Sequence, residues 1–376
     1  MKSTAVANSP VSADMAGGPG AIDEAWMQRA LTMARVGWGR VAPNPLVGAV
    51  LVKNNVPIGH GAHREFGRAH AEVEALTAAG AAARGATLYV TLEPCAHFGK
   101  TPPCVDAIIA AGVARVSVAV RDPNPEAGGG VEKLQAAGIA VDVGLLAAEA
   151  AELNAPFFHS FRSDRPWVTL KLAVSLDGAI ASASGELSWL TGEEARRRVH
   201  QMRAGSDAIA VGMGTVLADD PQLTVRDAHP PRVTPLRVVF SRSGHLPLDS
   251  RLARRVAEGR VLVFATQPDP AHTQALRELG VDVRQVATLS DALRVLKRRG
   301  VRSLMVEGGA ELATSLLDED LVDRVVLFQA PVRLGEGALP ALRTSGGLEA
   351  AVKRWKLIAT DLIGVDDMTV FAPEGH

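Results

Sequence analysis

The chain has 376 residues, which at roughly 150 residues per domain points to two or three domains. Lys and Arg total 40 against 41 Asp and Glu, a net charge of −1 that leaves no electrostatic footprint for nucleic acid. No apolar run approaches the roughly 20 residues of a membrane span, and two cysteines exclude a disulfide-dense secreted scaffold. What remains is a cytoplasmic, multidomain α/β protein.

Residues 1–20, rich in Ala, Ser, Gly and Pro, lack the apolar core of a signal peptide and the Arg enrichment of a transit peptide, and read as a disordered tail. Ile22, Trp26, Ala30 and Met33 stand at helical spacing and predict a helix over 21–38. Strands follow at 47–52, 86–91, 113–120 and 139–143, with helices at 69–83, 102–111 and 131–137. A further helix runs from Leu146 to about Phe158. Alternation of this kind predicts an α/β layer fold. The charged, Pro-terminated stretch Arg162-Ser163-Asp164-Arg165-Pro166 marks the boundary between a domain at 21–162 and one at 163–376.

Beyond it the alternation restarts. Strands are expected at 167–174, 208–211, 236–240, 261–265, 281–286, 303–306 and 325–330, and a C-terminal pair at 355–363 and 368–371. Helices are expected at 192–204, 271–279, 289–298 and 310–317, the first opened by a capping box, Thr191-Gly192-Glu193-Glu194.

The chemistry of the first half lies in three segments. His70-Ala71-Glu72 opens a helix, Pro94-Cys95 follows a strand, and Cys104 stands nine residues further on. With Thr101 as cap and Pro102 as the first helical residue, Cys104 falls in the first turn. Unpaired N–H groups and the positive helix end favour its thiolate there. Three protein ligands with an open fourth position make the catalytic zinc arrangement, and zinc lowers the pKa of a water held there toward about 7. Glu72 is placed to take a proton from that water and pass it to a leaving amine. Zinc nucleobase deaminases use such an H-x-E…P-C-x-x-C set, although the second gap here is eight residues. A Cys95–Cys104 disulfide and a structural zinc closed by His97 remain alternatives. The inserted loop carries Lys100, suited to a substrate phosphate, and His97, suited to a substrate with extra ring amines.

At this point the motifs resemble a known family. Ala42-Pro43-Asn44-Pro45-Leu46-Val47-Gly48, His70-Ala71-Glu72-Val73, Thr91-Leu92-Glu93-Pro94-Cys95, Thr101-Pro102-Pro103-Cys104 and Asp122-Pro123-Asn124-Pro125 look like the deaminase half of the bifunctional riboflavin biosynthesis deaminase/reductases. The resemblance implies a cytidine-deaminase-like α/β/α domain, zinc, and substrate contacts at Asn44, His97 and Lys100.

Alone, the second half says less. Glu307-Gly308-Gly309 and Val211-Gly212-Met213-Gly214-Thr215 are Gly-containing strand–helix junctions where a phosphate can approach backbone N–H groups, but such junctions are also plain tight turns. Lys171, Arg203 and Arg226 are cations of the phosphate-holding type. Leu170–Gly178, Ser184-Gly185-Glu186, Thr215–Pro221, Leu223–Arg226 and Val306–Gly309 resemble the reductase half of the same family. That half is similar in fold to dihydrofolate reductase and uses NADPH. It implies cofactor contacts at Ala173, Trp189, Thr215 and Asp219, and along Gly309, Ala310, Glu311, Leu312, Ala313, Thr314 and Ser315. Substrate contacts are implied at Arg203, Leu223, Arg226 and Glu307. Two positions depart from the pattern. Ser241-Arg242 stands where the family usually has Asp followed by Ser or Thr, and an arginine there suits a ribose 2′-phosphate. Leu187 replaces a substrate-contacting serine.

The expected reactions are hydrolytic deamination of a diaminopyrimidinone ribosylamino phosphate, then NADPH reduction of its ribosyl group to ribityl. The implied partner is that small molecule, with neither nucleic acid nor membrane, and the enzyme is expected to be a homo-oligomer. A different reading makes the second half a binding or oligomerisation module beside a simpler base deaminase.

Overall fold

The computed structural model describes residues 19–183, 189–344, 347–353 and 355–374. Two compact units emerge: Leu46–Leu153 with the chain up to Gly37, and Asn154–His376 with the short segment Trp38–Pro45. Leu187 and most of the expected tail lie outside the described residues.

In chain order the first unit contains α1 (Pro19–Ala34), β1 (Gly48–Lys53), β2 (Val56–Ala62), α2 (Ala71–Ala79), β3 (Thr87–Val90), α3 (Cys104–Ala111), β4 (Arg115–Val118), α4 (Gly130–Ala136), β5 (Ala140–Val143) and α5 (Ala147–Leu153). Its sheet runs β2-β1-β3-β4-β5, antiparallel at β2, β1 and β3 and parallel from β3 onward. Alternate strand residues feed opposite faces. Leu51, Leu88 and Val90 pack with α2, α3 and α4, while Val50, Val52 and Tyr89 pack with α1 and α5. The result is a three-layer α/β/α unit.

Three expectations need correction. Helix α1 begins at Pro19, inside the stretch 1–20 expected as a tail, and proline's missing N–H costs nothing at a helix start. Strand β2 was not anticipated, because Pro57, Gly59 and Gly61 hide its alternation. Those glycines are demanded by packing: a Cβ on Gly61 would sit 2.1 Å from the Ala71 carbonyl oxygen, and one on Gly59 2.3 Å from that of Ala75. The single helix expected from Leu146 to about Phe158 is two, broken at Asn154, with Pro156 in the first turn of the second. The units divide at this break, ahead of the charged stretch at 162–166.

The second unit contains α6 (Ala155–Ser160), β6 (Trp167–Val174), β7 (Ala179–Ala181), α7 (Glu193–Ala204), β8 (Ala208–Gly212), α8 (Met213–Asp219), β9 (Leu236–Ser241), α9 (Arg251–Arg254), β10 (Val261–Ala265), α10 (Pro270–Glu278), β11 (Asp282–Gln285), α11 (Leu289–Arg298), β12 (Ser303–Glu307), α12 (Ala310–Asp318), β13 (Arg324–Gln329), β14 (Leu339–Pro340), α13 (Gly347–Val352), β15 (Trp355–Ile363) and β16 (Asp366–Pro373). Its main sheet is ordered β11-β10-β9-β8-β12-β6-β13-β16-β15. The strands from β11 to β13 are parallel, and the β15–β16 hairpin is antiparallel at one edge. Leu304 and Val306 face α11 and α12, whereas Met305 between them faces α7. Burial on both faces explains the near-continuous apolar runs of these strands.

The expected capping box at Thr191 is not used. Gly192 is the N-cap of α7, without a side-chain bond, and its N–H donates to the buried Asp366 carboxylate at 2.8 Å. A carboxylate at a helix start is favoured by the dipole, so a distant strand supplies the cap. Segment 38–45 follows α1 in sequence yet is held by this second unit. The Trp38 indole donates to the Gln201 carbonyl at 2.8 Å, and Arg232 donates to that of Ala42 at 2.5 Å.

Candidate functional site

In the first unit, α2 starts at His70, its N-cap, and places Glu72 in the first turn. Cys95 follows β3, and Cys104 opens α3. The Nδ1 of His70 lies 3.3 Å from Cys104 Sγ and 3.5 Å from Cys95 Sγ. Tetrahedral zinc with Zn–S near 2.3 Å and Zn–N near 2.0–2.1 Å needs donors about 3.5–3.8 Å apart, so this set fits zinc with little adjustment. Thr101 does not cap α3: Pro103 is the N-cap, and the Thr101 hydroxyl sits 3.5 Å from His70 Nε2. A partner on the second ring nitrogen orients a ligating histidine.

The donor set is already electrostatically prepared for a cation. Hydrogen bonding from Cys104 outweighs burial and, with His70, lowers the Cys95 thiol and favours its ionised form. The Cys104 backbone N–H adds a contact to that sulfur at 3.4 Å. Cys104 is pushed up by sharing its proton with Cys95 and by burial. A bound dication would displace that remaining proton. Both cysteines are free thiols, which removes the disulfide. Among the described residues the donor group is His70, Cys95 and Cys104 without His97, which removes the closed structural site. Glu72 is buried, and burial drives its carboxyl up to about 7 beside His70 and the two thiols.

His97, Phe98 and Lys100 are exposed on the loop joining the two cysteines, and the Lys100 ammonium sits 4.1 Å over the Phe66 ring. Asn44 lies in segment 38–45, which groups with the second unit.

In the second unit the parallel strands end along one edge, where open α/β sheets bind ligands. Glu307 ends β12, in register with Lys171 of β6. Arg203, in the last turn of α7, grips Glu307 through two bonds of 2.5 and 2.8 Å and donates to the Thr224 carbonyl at 2.9 Å. Burial alone would raise Glu307; Arg203, with Lys171 and His200, instead holds it at about 2. Lys171 is lowered by burial, against the pull of Glu307 and Asp219. Leu223 is buried and left-handed at φ 53°, a strained state for a bulky residue. It turns the chain so that the Arg226 N–H donates to His200 Nδ1 at 3.0 Å. The guanidinium of Arg226 contacts Gln222 and, unlike Arg203, meets no carboxylate among the described residues. His200 is absent from the expected site, whereas Lys171, expected as a cation of the phosphate-holding type, does lie beside Glu307.

Of the expected cofactor residues, Thr215 and Gly309 lie next to each other. Gly309 is the N-cap of α12, and a Cβ there would lie 3.1 Å from Thr215 Oγ1, so the two Gly-containing junctions adjoin. Ala173 lies near the end of β6 and Asp219 at the end of α8. Leu312 and Ala313 belong to the core, which leaves the backbone of this turn to face a phosphate. Trp189 is exposed, with Arg196 5.2 Å over its ring. Open glycine-cradled N–H groups, free of side chain, suit a nucleotide pyrophosphate.

Fold and site together define a zinc-type deaminase joined to a nucleotide-dependent reductase. Comparison with known proteins agrees. Residues 21–120 match the cytidine and deoxycytidylate deaminase zinc-binding region, and residues 166–367 match the RibD C-terminal domain. The riboflavin biosynthesis protein RibD of Aquifex aeolicus is 45% identical over 319 residues, 84% of this chain and 89% of its own length. Acinetobacter baumannii RibD superposes with a TM-score of 0.81 at 39% identity, covering 94% of this chain and 99% of that one. A diaminohydroxyphosphoribosylaminopyrimidine deaminase/5-amino-6-(5-phosphoribosylamino)uracil reductase from Thermotoga maritima gives 0.81 at 37% identity, covering 94% and 99%. The chain belongs to the RibD family, the bifunctional deaminase/reductases of riboflavin biosynthesis, with zinc and NADPH as cofactors. The reading of the second half as a mere binding module is not favoured.

Proposed function

We propose that the chain deaminates 2,5-diamino-6-(5-phosphoribosylamino)pyrimidin-4-one in the domain at 21–162. The domain at 163–376 then reduces the ribosyl group, giving 5-amino-6-(5-phosphoribitylamino)uracil. The observation that carries this reading is the His70–Cys95–Cys104 donor set with a buried Glu72 on the same helix turn. His70, Cys95 and Cys104 would hold zinc, which when bound supplies a Lewis acid that activates water. Glu72 takes a proton from water as its oxygen adds to the ring carbon bearing the 2-amino group, then delivers it to the departing nitrogen, which leaves as ammonia. Its buried position keeps that proton from bulk solvent. Lys100 and His97 on the flanking loop, and Asn44, bind the substrate.

In the second unit Arg226 meets the substrate phosphate, while the Arg203–Glu307 pair and Leu223 shape the pocket against Lys171. NADPH, when bound, supplies the hydride. Ala173, Trp189, Thr215, Asp219 and the turn Gly309–Ser315 position it. The test is conversion of the diaminopyrimidinone phosphate by purified zinc-loaded enzyme. Ammonia release is expected without NADPH, and NADPH oxidation only after deamination. Ammonia release that persists after zinc removal would overturn the reading.

The enzyme is also proposed to be a cytoplasmic homo-oligomer. A reducing compartment keeps both thiols available as ligands. The nine-residue edge strand β15 leaves Leu357 and Leu362 exposed, an open edge of the kind a second copy covers. Leu362→Lys should lower the mass measured by sedimentation. No helix among the described residues is long and apolar enough to cross a membrane.

A further inference from the structure

Of the three zinc donors, His70 and Cys104 sit at the starts of α2 and α3, helices whose apolar faces are locked into the core. Cys95 lies in neither helix nor strand, so tertiary hydrogen bonds must hold its sulfur in place. Two residues before it stands Glu93, a buried acid that the deamination steps do not use and that lies outside the donor group. Its Oε1 accepts from the Val131 N–H at 3.0 Å, and its Oε2 from the Asp122 N–H at 3.2 Å. Arg121 stands off at 3.9 Å and is paired with Glu132 at 2.7 Å.

The two donors are the ends of one loop. Asp122 follows β4, and Val131 is in the first turn of α4, where backbone N–H groups have no partner within the helix. By reaching both, Glu93 ties its own segment to 122–131. The neighbouring backbone is tied to the same stretch: the Glu93 N–H donates to the Val120 carbonyl at 2.9 Å, and the Ala96 N–H to that of Ala127 at 3.3 Å. The Lys133 ammonium donates to the Ala96 carbonyl at 2.7 Å. The approach is close, since a Cβ on Gly130 would lie 1.9 Å from the Pro94 carbonyl oxygen. Cys95 is thus flanked on both sides by residues bound to 120–133. An amide could not replace this carboxylate, because it offers one acceptor oxygen and turns its NH₂ toward the other N–H. A donor would then be left unsatisfied beside the ligand segment.

We infer that Glu93 is a positioning residue for the metal: by splinting 93–96 to 122–131 it fixes the Cys95 sulfur for ligation and so sets zinc affinity. The inference rests on the reading of His70, Cys95 and Cys104 as the zinc site, and metal binding rather than turnover tests it. Metal-free full-length enzyme would be titrated with Co²⁺, followed by its thiolate charge-transfer absorption, and with Zn²⁺ against a chelator. The native chain would be compared with Glu93→Gln, Glu93→Asp and Met27→Ala. Met27 is buried in α1 on the other side of the sheet, so its truncation lowers the melting temperature without touching 93–96. Glu93→Gln should bind both metals about tenfold to a hundredfold more weakly, and Met27→Ala should bind them as the native chain does. Glu93→Asp keeps the charge but is one methylene too short to reach both N–H groups, and should fall between native and Gln. Should Glu93→Gln not fold by circular dichroism, the aspartate variant carries the same comparison. Native affinity in the folded Glu93 variants, or a loss no larger than that of Met27→Ala, would overturn the assignment. If the native chain itself binds neither metal, the zinc reading fails and this inference with it.

Discussion

Replacing Glu307 by Gln tests whether the Arg203–Glu307 pair holds the reductase site together. The side chain is nearly isosteric, so the perturbation removes the charge and leaves the Arg203 guanidinium buried beside a neutral group. Glu307 titrates at about 2 in the folded chain against an ordinary 4.5. At about 1.4 kcal/mol per pH unit, that difference is worth about 3 kcal/mol. Breaking a buried pair by removing one partner costs about 3–5 kcal/mol, so the two routes agree. The folded pKa is depressed, so the stabilisation is fully present above pH 4.5 and is lost as pH falls from there toward 2. The native enzyme should therefore exceed Glu307→Gln by about 3 kcal/mol at pH 7, and the gap should narrow below pH 4.5 as protonation removes the same charge. Urea unfolding followed by tryptophan fluorescence is the assay, because Trp38, Trp167, Trp189 and Trp355 lie in the second unit and Trp26 in the first. A loss under about 1 kcal/mol, the level of an exposed ion pair, would refute the argument. So would a gap independent of pH.

The remaining expectations concern the first unit and the division of labour. Glu72→Gln should keep zinc at one per chain by elemental analysis while deamination falls about 10²–10⁴-fold; loss of the metal would reassign Glu72 to ligation. The same variant should still reduce the deaminated intermediate supplied directly, and failure to do so with assembly intact would point to one composite site. Cys104→Ser, which exchanges a thiolate for a neutral hydroxyl, should lose both zinc and ammonia release; retained zinc would remove Cys104 from the ligand set. Gly61→Ala drives a Cβ to within 2.1 Å of the Ala71 carbonyl oxygen, so α2 must shift away from β2. Thermal unfolding should show a loss of about 1–3 kcal/mol, typical of overpacking, and zinc affinity should fall because His70 rides on that helix. An unchanged melting curve would mean the contact relaxes freely.

What was legible in the amino-acid order was whatever depends on near neighbours along the chain. The alternation of Trp167–Val174 marks β6 to the residue, and the apolar spacing of Leu289–Arg298 marks α11 in the same way. The zinc donors were legible because His-x-Glu and Pro-Cys are chemically unusual at that spacing, and the fold brings their ligand atoms within 4.8 Å. Strand β2 was hidden because its glycines answer to α2 above them rather than to their own neighbours. Asp366 capping α7 from 174 positions away could not be read locally, whereas Thr191 and Glu194 offered a cap that the fold passes over.

The order of residues by itself determined the metal chemistry and the α/β layering, since periodicity and donor type are local properties. Tertiary structure alone decided the state of each charge. Lys171, Arg203, Arg226 and Arg242 look alike in a sequence. In the fold, Lys171 is half-buried near Glu307 and Asp219, while Arg203 is spent on a carboxylate 104 positions away. Arg226 leans on an amide, and Arg242 stays open to solvent. Whether a cation is free to hold a phosphate depends on burial and on the nearest opposite charge, and both are set by contacts that chain order does not contain.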